Sequence, residues 1–150
     1  MLARAAWLEK PGFLIRAWRD PHGANLDRVQ VVKGWLDDEG KSQEKVFDVS
    51  LSDGREVAKD GSVPPVGDTV DAAEARFTNS IGASMLEVFW EDPSFDRDQR
   101  AFYYVRVLEI PTPRWSTVDA RVFGIDVPEG VARTTQERAY TSPVWYDPGT

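Results

Sequence analysis

Asp92, Asp96 and Asp98 crowd one stretch of the chain, and Asp37, Asp38 and Glu39 crowd another. Clustered carboxylates are the raw material of a calcium site, which takes about six to eight oxygens on a regularly spaced Asp-rich frame with a later bidentate glutamate. Neither stretch matches. The first is interrupted by Pro93 and Phe95, the second lacks spaced ligands, and both are read as solvated turns, with Asp92-Pro93 a turn initiator. Paired carboxylates can also run general acid–base hydrolysis. Glu87 and Glu109 lie on strand-like runs, but among 25 acidic residues such pairs arise by chance, and solvent-facing side chains are expected. Ser142, before Pro143, has neither a glycine elbow nor a neighbouring base. The single histidine, His22, sits in the turn sequence Asp20-Pro-His-Gly23 and is read as a solvated turn residue. With no cysteine, disulfides, thiolate nucleophiles and Cys-type zinc sites are excluded. Glycine-rich phosphate loops are absent as well. No residue is assigned a catalytic, cofactor-binding or metal-ligating role, and no cofactor is implied.

The totals narrow the class further. At 150 residues, 41% of them hydrophobic and 29% charged, the chain has the size and composition of one globular domain. A net charge of −7 with no Lys/Arg cluster beyond a pair argues against a nucleic-acid partner. No apolar run approaches the ~20 residues of a membrane span. Glu9 and Lys10 come too early for a signal-peptide core after Met1. The chain as written therefore carries no export signal, and cytoplasm and periplasm both remain open.

The elements that would position any site are strands. Ala101–Ile110 holds two tyrosines, a phenylalanine and two valines without a glycine or proline, a composition suited to a pleated, half-buried surface. Alternation puts Ala101, Tyr103, Val105 and Val107 on the core face, and Phe102, Tyr104, Arg106 and Leu108 on the other. Further strands are expected over 13–18, 26–35, 41–51, 70–78, 85–90 and 139–146. Residues 26–51 form a hairpin across the acidic turn ending in Gly40. Pro143 marks a sheet edge or a bulge in the last strand. Residues 1–12 are a lead-in, and 111–138 an irregular insertion with a short helix over 115–123. The expected fold is a single all-β domain spanning 1–150, an immunoglobulin-like antiparallel β-sandwich with that insertion before its last strand. Val31, Trp35, Trp90, Val105 and Val107 should be mostly buried. Gln99, Ala101, Tyr103 and Val105 fall at the alternate positions where immunoglobulin-like domains carry Asp, Ala, Tyr and Cys. Either Tyr103 is a tyrosine corner whose hydroxyl returns to backbone near Phe95–Asp98, or the run is simply an aromatic strand.

Three blocks carry a resemblance: Asn25–Trp35, Arg100–Trp115 and Gln136–Tyr146, with Glu44–Asp48 and Asn79–Ala83 also fitting. They are similar to blocks near the carboxyl end of a large bacterial family of unknown function. Its full-length members are several times longer and resemble PHP-type metal-dependent phosphoesterases in their amino-terminal part. A shorter version of the same ending closes related PHP-containing metallohydrolases. The resemblance covers roughly residues 13–147. It implies a metal site of histidines and acids upstream, and with one histidine here no such ligand is carried over. The chain is then a fragment of a longer protein or a gene cut down to its terminal sandwich.

Three functions follow as expectations. The first is a non-catalytic accessory domain partnered by a PHP-like catalytic domain or another protein. The second is a free-standing module that binds a carbohydrate or a protein through exposed aromatics, and the third a small acid–base hydrolase. Exposure separates the first two. A docking domain shows a broad apolar patch, whereas a sugar binder shows aromatic rings in a groove lined with carboxylates and amides.

Overall fold

The strand Leu26–Leu36 (β2) is buried on both faces, as suits a central strand: Val29 and Val31 are buried on one side and Val32 on the other. It pairs antiparallel with Ser42–Leu51 (β3) on one edge and Ala101–Glu109 (β5) on the other. The computed structural model describes residues 10–149, so the start of the lead-in lies outside the described residues. Gly12–Trp18 (β1) and Met85–Glu91 (β4) pair antiparallel as a separate two-stranded sheet. Beyond β5 lie Arg138–Tyr140 (β8) and Val144–Tyr146 (β9), which complete a five-stranded sheet.

The two sheets enclose the core. Ile15 and Leu86 from the smaller sheet meet Leu26, Val29, Val31, Ala101 and Tyr103 from the larger. The facing of β5 is as its alternation predicts, since Ala101 and Tyr103 are buried and Val105 and Val107 pack against the same cluster. Val31 is fully buried, whereas Trp35, Trp90, Val105 and Val107 are partly buried at the margin of the core. The architecture is a mostly-β sandwich whose second layer, among the described residues, has two strands.

Three expectations change. Residues 70–78 do not form a strand. Asp71 and Arg76 exchange backbone hydrogen bonds around a tight turn, Asp71 accepts the backbone N–H groups of Ala73 and Glu74, and Ala75 takes a positive φ of 49°. An Asp side chain offers the backbone these local bonds in place of a ladder, and alanines supply little packing to oppose it. The last strand is split in two: Thr141 bridges the gap by bonding Val105, and Pro143, which cannot donate, falls in the break. The insertion contains order of its own. Trp115–Phe123 forms the expected helix (α1), closed by Gly124 at φ 65°, and it buries only Thr117 and Ala120. The two-residue strands Thr112–Pro113 (β6) and Thr134–Thr135 (β7) pair at its base.

Candidate functional site

Alternation along β2 sends Val29, Val31, Lys33 and Trp35 to the core face, so a lysine enters the sandwich directly across from Tyr103. Along β4 the same period runs Leu86, Val88, Trp90 and, one step past the strand, Asp92. Lys33 and Asp92 meet there with side chains 3% and 0% exposed, Nζ lying 2.7 Å from Oδ2. The Tyr103 hydroxyl donates to the same Oδ2 at 2.8 Å. Ser94 donates its N–H and its hydroxyl to Oδ1 at 2.8 and 3.0 Å, and its carbonyl accepts from Lys33 at 2.8 Å. Lys33 also sits 5.3 Å from the centroid of the Trp35 ring and 5.8 Å from that of Tyr103.

Burial alone would push the Asp92 carboxyl up, but the bonds from Lys33, Ser94 and Tyr103 outweigh it and hold the group below its ordinary value. Burial, followed by the bond to Asp92, drives the Tyr103 phenol far above its usual range. Phe13 and Trp90 close over Tyr103 with ring centroids at 5.2 and 6.5 Å. The centre is ionic, satisfied and sealed from water. It ties β2 and β5 to the loop after β4 and offers no room for a substrate.

Two expectations are corrected here. Asp92 is not a solvated turn residue: it does open the turn through Ser94, but its carboxylate faces inward. Tyr103 does not return to backbone near Phe95–Asp98, because the buried carboxylate is the stronger acceptor within reach. The tyrosine that bonds this loop's backbone is Tyr146, whose hydroxyl donates to the Arg97 carbonyl at 2.8 Å while its ring meets Phe95 edge-on at 4.9 Å.

A second buried polar centre lies at the other end of β2. A register shift there leaves Asp27 between the paired residues Leu26 and Arg28. Its carboxylate, 1% exposed, accepts from Arg55 at 2.6 Å, Gln136 at 2.9 Å and Arg28 at 3.2 Å. Gln136 also donates to the Glu109 carbonyl at 2.9 Å. Asn25 fastens the neighbouring loop, taking a bond from its own N–H to the Asn79 side chain at 2.7 Å and donating its amide to the Ile81 carbonyl at 2.8 Å.

The open site is a cleft of about 740 Å³ where the β2–β3 hairpin faces the β4–β5 loop and β9. Phe102 and Trp145 supply apolar surface, Asp38, Glu44, Asp96 and Asp98 carboxylates, and Gln43 and Gln99 amides. Asp96 also organises its loop by accepting the Asp98 N–H at 2.9 Å. The other acidic turn is ordered by Asp37. Backbone N–H bonds from Lys41 and Glu39 and a side-chain bond from Gln43 lower its carboxyl.

The remaining candidates are not brought together. Glu87 pairs with Arg16 on the outer face of the small sheet. Glu109 stands in the large sheet, its carboxyl pushed up by burial and then by Glu137 and Asp20. His22 is exposed in its turn, where its N–H bonds Asp20, and Ser142 is exposed between β8 and β9. Among the described residues, no group of three or more His, Asp or Glu side chains could hold a metal ion.

The chain belongs to a family described as a protein of unknown function (DUF3604), whose model matches residues 2–148. No curated protein and no solved structure gives a match. None of the described helices is long and apolar enough to cross a membrane.

Proposed function

We propose that this chain is a non-catalytic accessory β-sandwich from the carboxyl end of a PHP-like metallohydrolase, and that it docks against the catalytic part. The observation that carries this reading is the outer face of the small sheet. Leu14 stands opposite Phe89 and Trp18 opposite Met85, and Leu14, Trp18 and Phe89 are 70%, 62% and 59% exposed. The Arg16–Glu87 pair lies between them, with the Arg16 guanidinium 5.5 Å from the Trp18 ring centroid. A strand pair with apolar side chains on both faces is the pattern of a layer covered on both sides. The resemblance of residues 13–147 to the end of a longer PHP-like protein supports its catalytic part as the occupant. An immunoglobulin-like ancestry for the sandwich belongs to the same proposal.

The test is association in trans. An upstream PHP-like segment from the same reading frame, expressed separately, should bind this chain, and Leu14→Glu with Phe89→Glu should abolish binding while leaving the urea midpoint nearly unchanged. Absence of such a segment from the reading frame, or binding that survives both charges, overturns the reading. The second class, a module that binds a carbohydrate or a protein through exposed aromatics, has the cleft beside Trp145 on its side.

A further inference from the structure

Four aromatic rings neighbour one another on the outer face of the large sheet, two on β5 and one each on β8 and β9. The Tyr140 centroid is 6.2 Å from that of Tyr104, Tyr104 is 6.4 Å from Phe102, and Phe102 is 5.1 Å from Trp145. The spacing follows from the topology. Phe102 and Tyr104 are alternate residues of one strand, and their rings lie only 11° from parallel. Tyr140 and Trp145 come from the two short strands beside it, where Trp145 is the direct partner of Phe102. Phe102 settles over Gly34, at which any Cβ would come within 2.3 Å of the ring, so β2 leaves that position bare. The ends of the row are open, with Tyr140 and Trp145 55% and 63% exposed, and the Trp145 end enters the cleft of about 740 Å³.

We propose that this row and cleft bind a neutral polysaccharide chain. Its sugar rings would lie along Tyr140, Tyr104, Phe102 and Trp145, and its hydroxyls would donate to the carboxylates and amides around Trp145. The proposal goes beyond docking, since the row lies on the face of the large sheet turned away from β1 and β4. Aromatic faces carry negative charge density and attract the polarised C–H groups of a pyranose face. Consecutive ring spacings of 5.1 to 6.4 Å suit a chain of repeating ring units, whereas a cation is held best where rings converge on one point. Asp38, Glu44, Asp96 and Asp98 accept hydrogen bonds, and Gln43 and Gln99 both accept and donate, so hydroxyl groups are matched on either count. The same carboxylates outnumber Arg100 in the cleft lining and, in a chain of net charge −7, disfavour an acidic polymer.

The test is electrophoresis of the intact chain through gels carrying hydroxyethyl-cellulose, xylan, glucomannan or laminarin, with polygalacturonate as the acidic polymer. Choline and spermidine are titrated separately by tryptophan fluorescence. At least one neutral polymer should retard the chain, and Trp145→Ala and Tyr140→Ala should each weaken that binding about tenfold, the loss expected of one stacked ring. Trp18→Ala, on the docking face, should leave it unchanged. Both variants remove exposed rings at the ends of the row, and an unaltered urea midpoint will show that they fold. Free passage through all four neutral gels overturns the proposal. So does retardation that survives Trp145→Ala, or saturable binding of choline or spermidine that Trp145→Ala abolishes.

Discussion

Lys33→Met tests the buried centre most directly, because it deletes the ammonium and keeps most of the apolar stem. Lys33 and Asp92 are 3% and 0% exposed, and removing one partner of such a pair costs about 3–5 kcal/mol. Asp92 keeps the Tyr103 hydroxyl and both donors of Ser94, and methionine can repack against Trp35 and Tyr103, so a value near the low end, about 3 kcal/mol, is expected. The cost should depend on pH. In the native chain the Asp92 carboxyl lies below its ordinary value, so its contribution is present above the unfolded pKa and is lost as pH falls through the folded one. Without the ammonium, burial is far less opposed and the carboxyl moves up. The variant is then most destabilised at neutral to alkaline pH, and protonation relieves it as pH falls toward the unfolded value of ~3.9. Urea melts at pH 5 and pH 8 measure both effects. A cost below about 1 kcal/mol, or an equal cost at the two pH values, would refute the assignment of a desolvated ion pair. Tyr103→Phe, which removes one of the four donors to the same carboxylate, should cost about 1–3 kcal/mol. Tyr104→Phe on the outer face should cost much less, and the reverse order would overturn the facing of β5.

Gly82→Ala should destabilise by about 2–4 kcal/mol in a denaturant melt, because Gly82 has φ 76° and an added Cβ would lie 2.6 Å from Ile110 Cγ2 and 2.9 Å from the Leu26 carbonyl. Glu109→Gln should raise the melting temperature at pH 7. The carboxyl's folded pKa is raised, so its charged form opposes folding at neutral pH and the advantage of the amide should vanish as acid protonates the native residue. Millimolar calcium or zinc should leave the melting temperature unchanged. A folded-state site filled at a hundredfold excess over Kd would add about 2.7 kcal/mol, so a rise of several degrees lost in Asp96→Asn or Asp98→Asn would reveal one.

The strands of the large sheet were legible because their alternation is strong, and β5 faces the way its sequence requires. The helix over 115–123 and the break at Pro143 were legible for the same local reasons. The ion pair was not, although its signal is present. Lys33 falls in phase with Val31 and Trp35, and Asp92 in phase with Leu86, Val88 and Trp90, so each violates its strand's apolar period in the position that faces the core. Charge outweighs phase when residues are read one at a time, and the turn propensity of Asp-Pro hid the inward carboxylate. Residues 70–78 failed in the opposite direction: the run reads as a strand despite its alanines, but the Asp71 side chain accepts the N–H groups of Ala73 and Glu74 and holds a tight turn there.

The blocks that tie the chain to its family take on a physical meaning once these contacts are known. Asn25 holds the 79–82 loop through its amide, and the Gly82 N–H donates to Asp53 at 2.7 Å in a space only glycine can occupy. Asp27 gathers Arg55, Arg28 and Gln136 from distant parts of the sequence. Lys33 and Tyr103 share Asp92. Asp27, Lys33, Asp92 and Tyr103 are buried, and each group fixes a loop or a strand crossing. The two proposed surfaces draw on exposed residues, Leu14, Trp18 and Phe89 on one sheet and Tyr140 and Trp145 on the other. Charge placed on the first set and ring removal from the second perturb different surfaces of one folded chain. A variant at Phe89 that lost polysaccharide binding would mean that the two faces are not independent, and the division of labour between the sheets would fall with it.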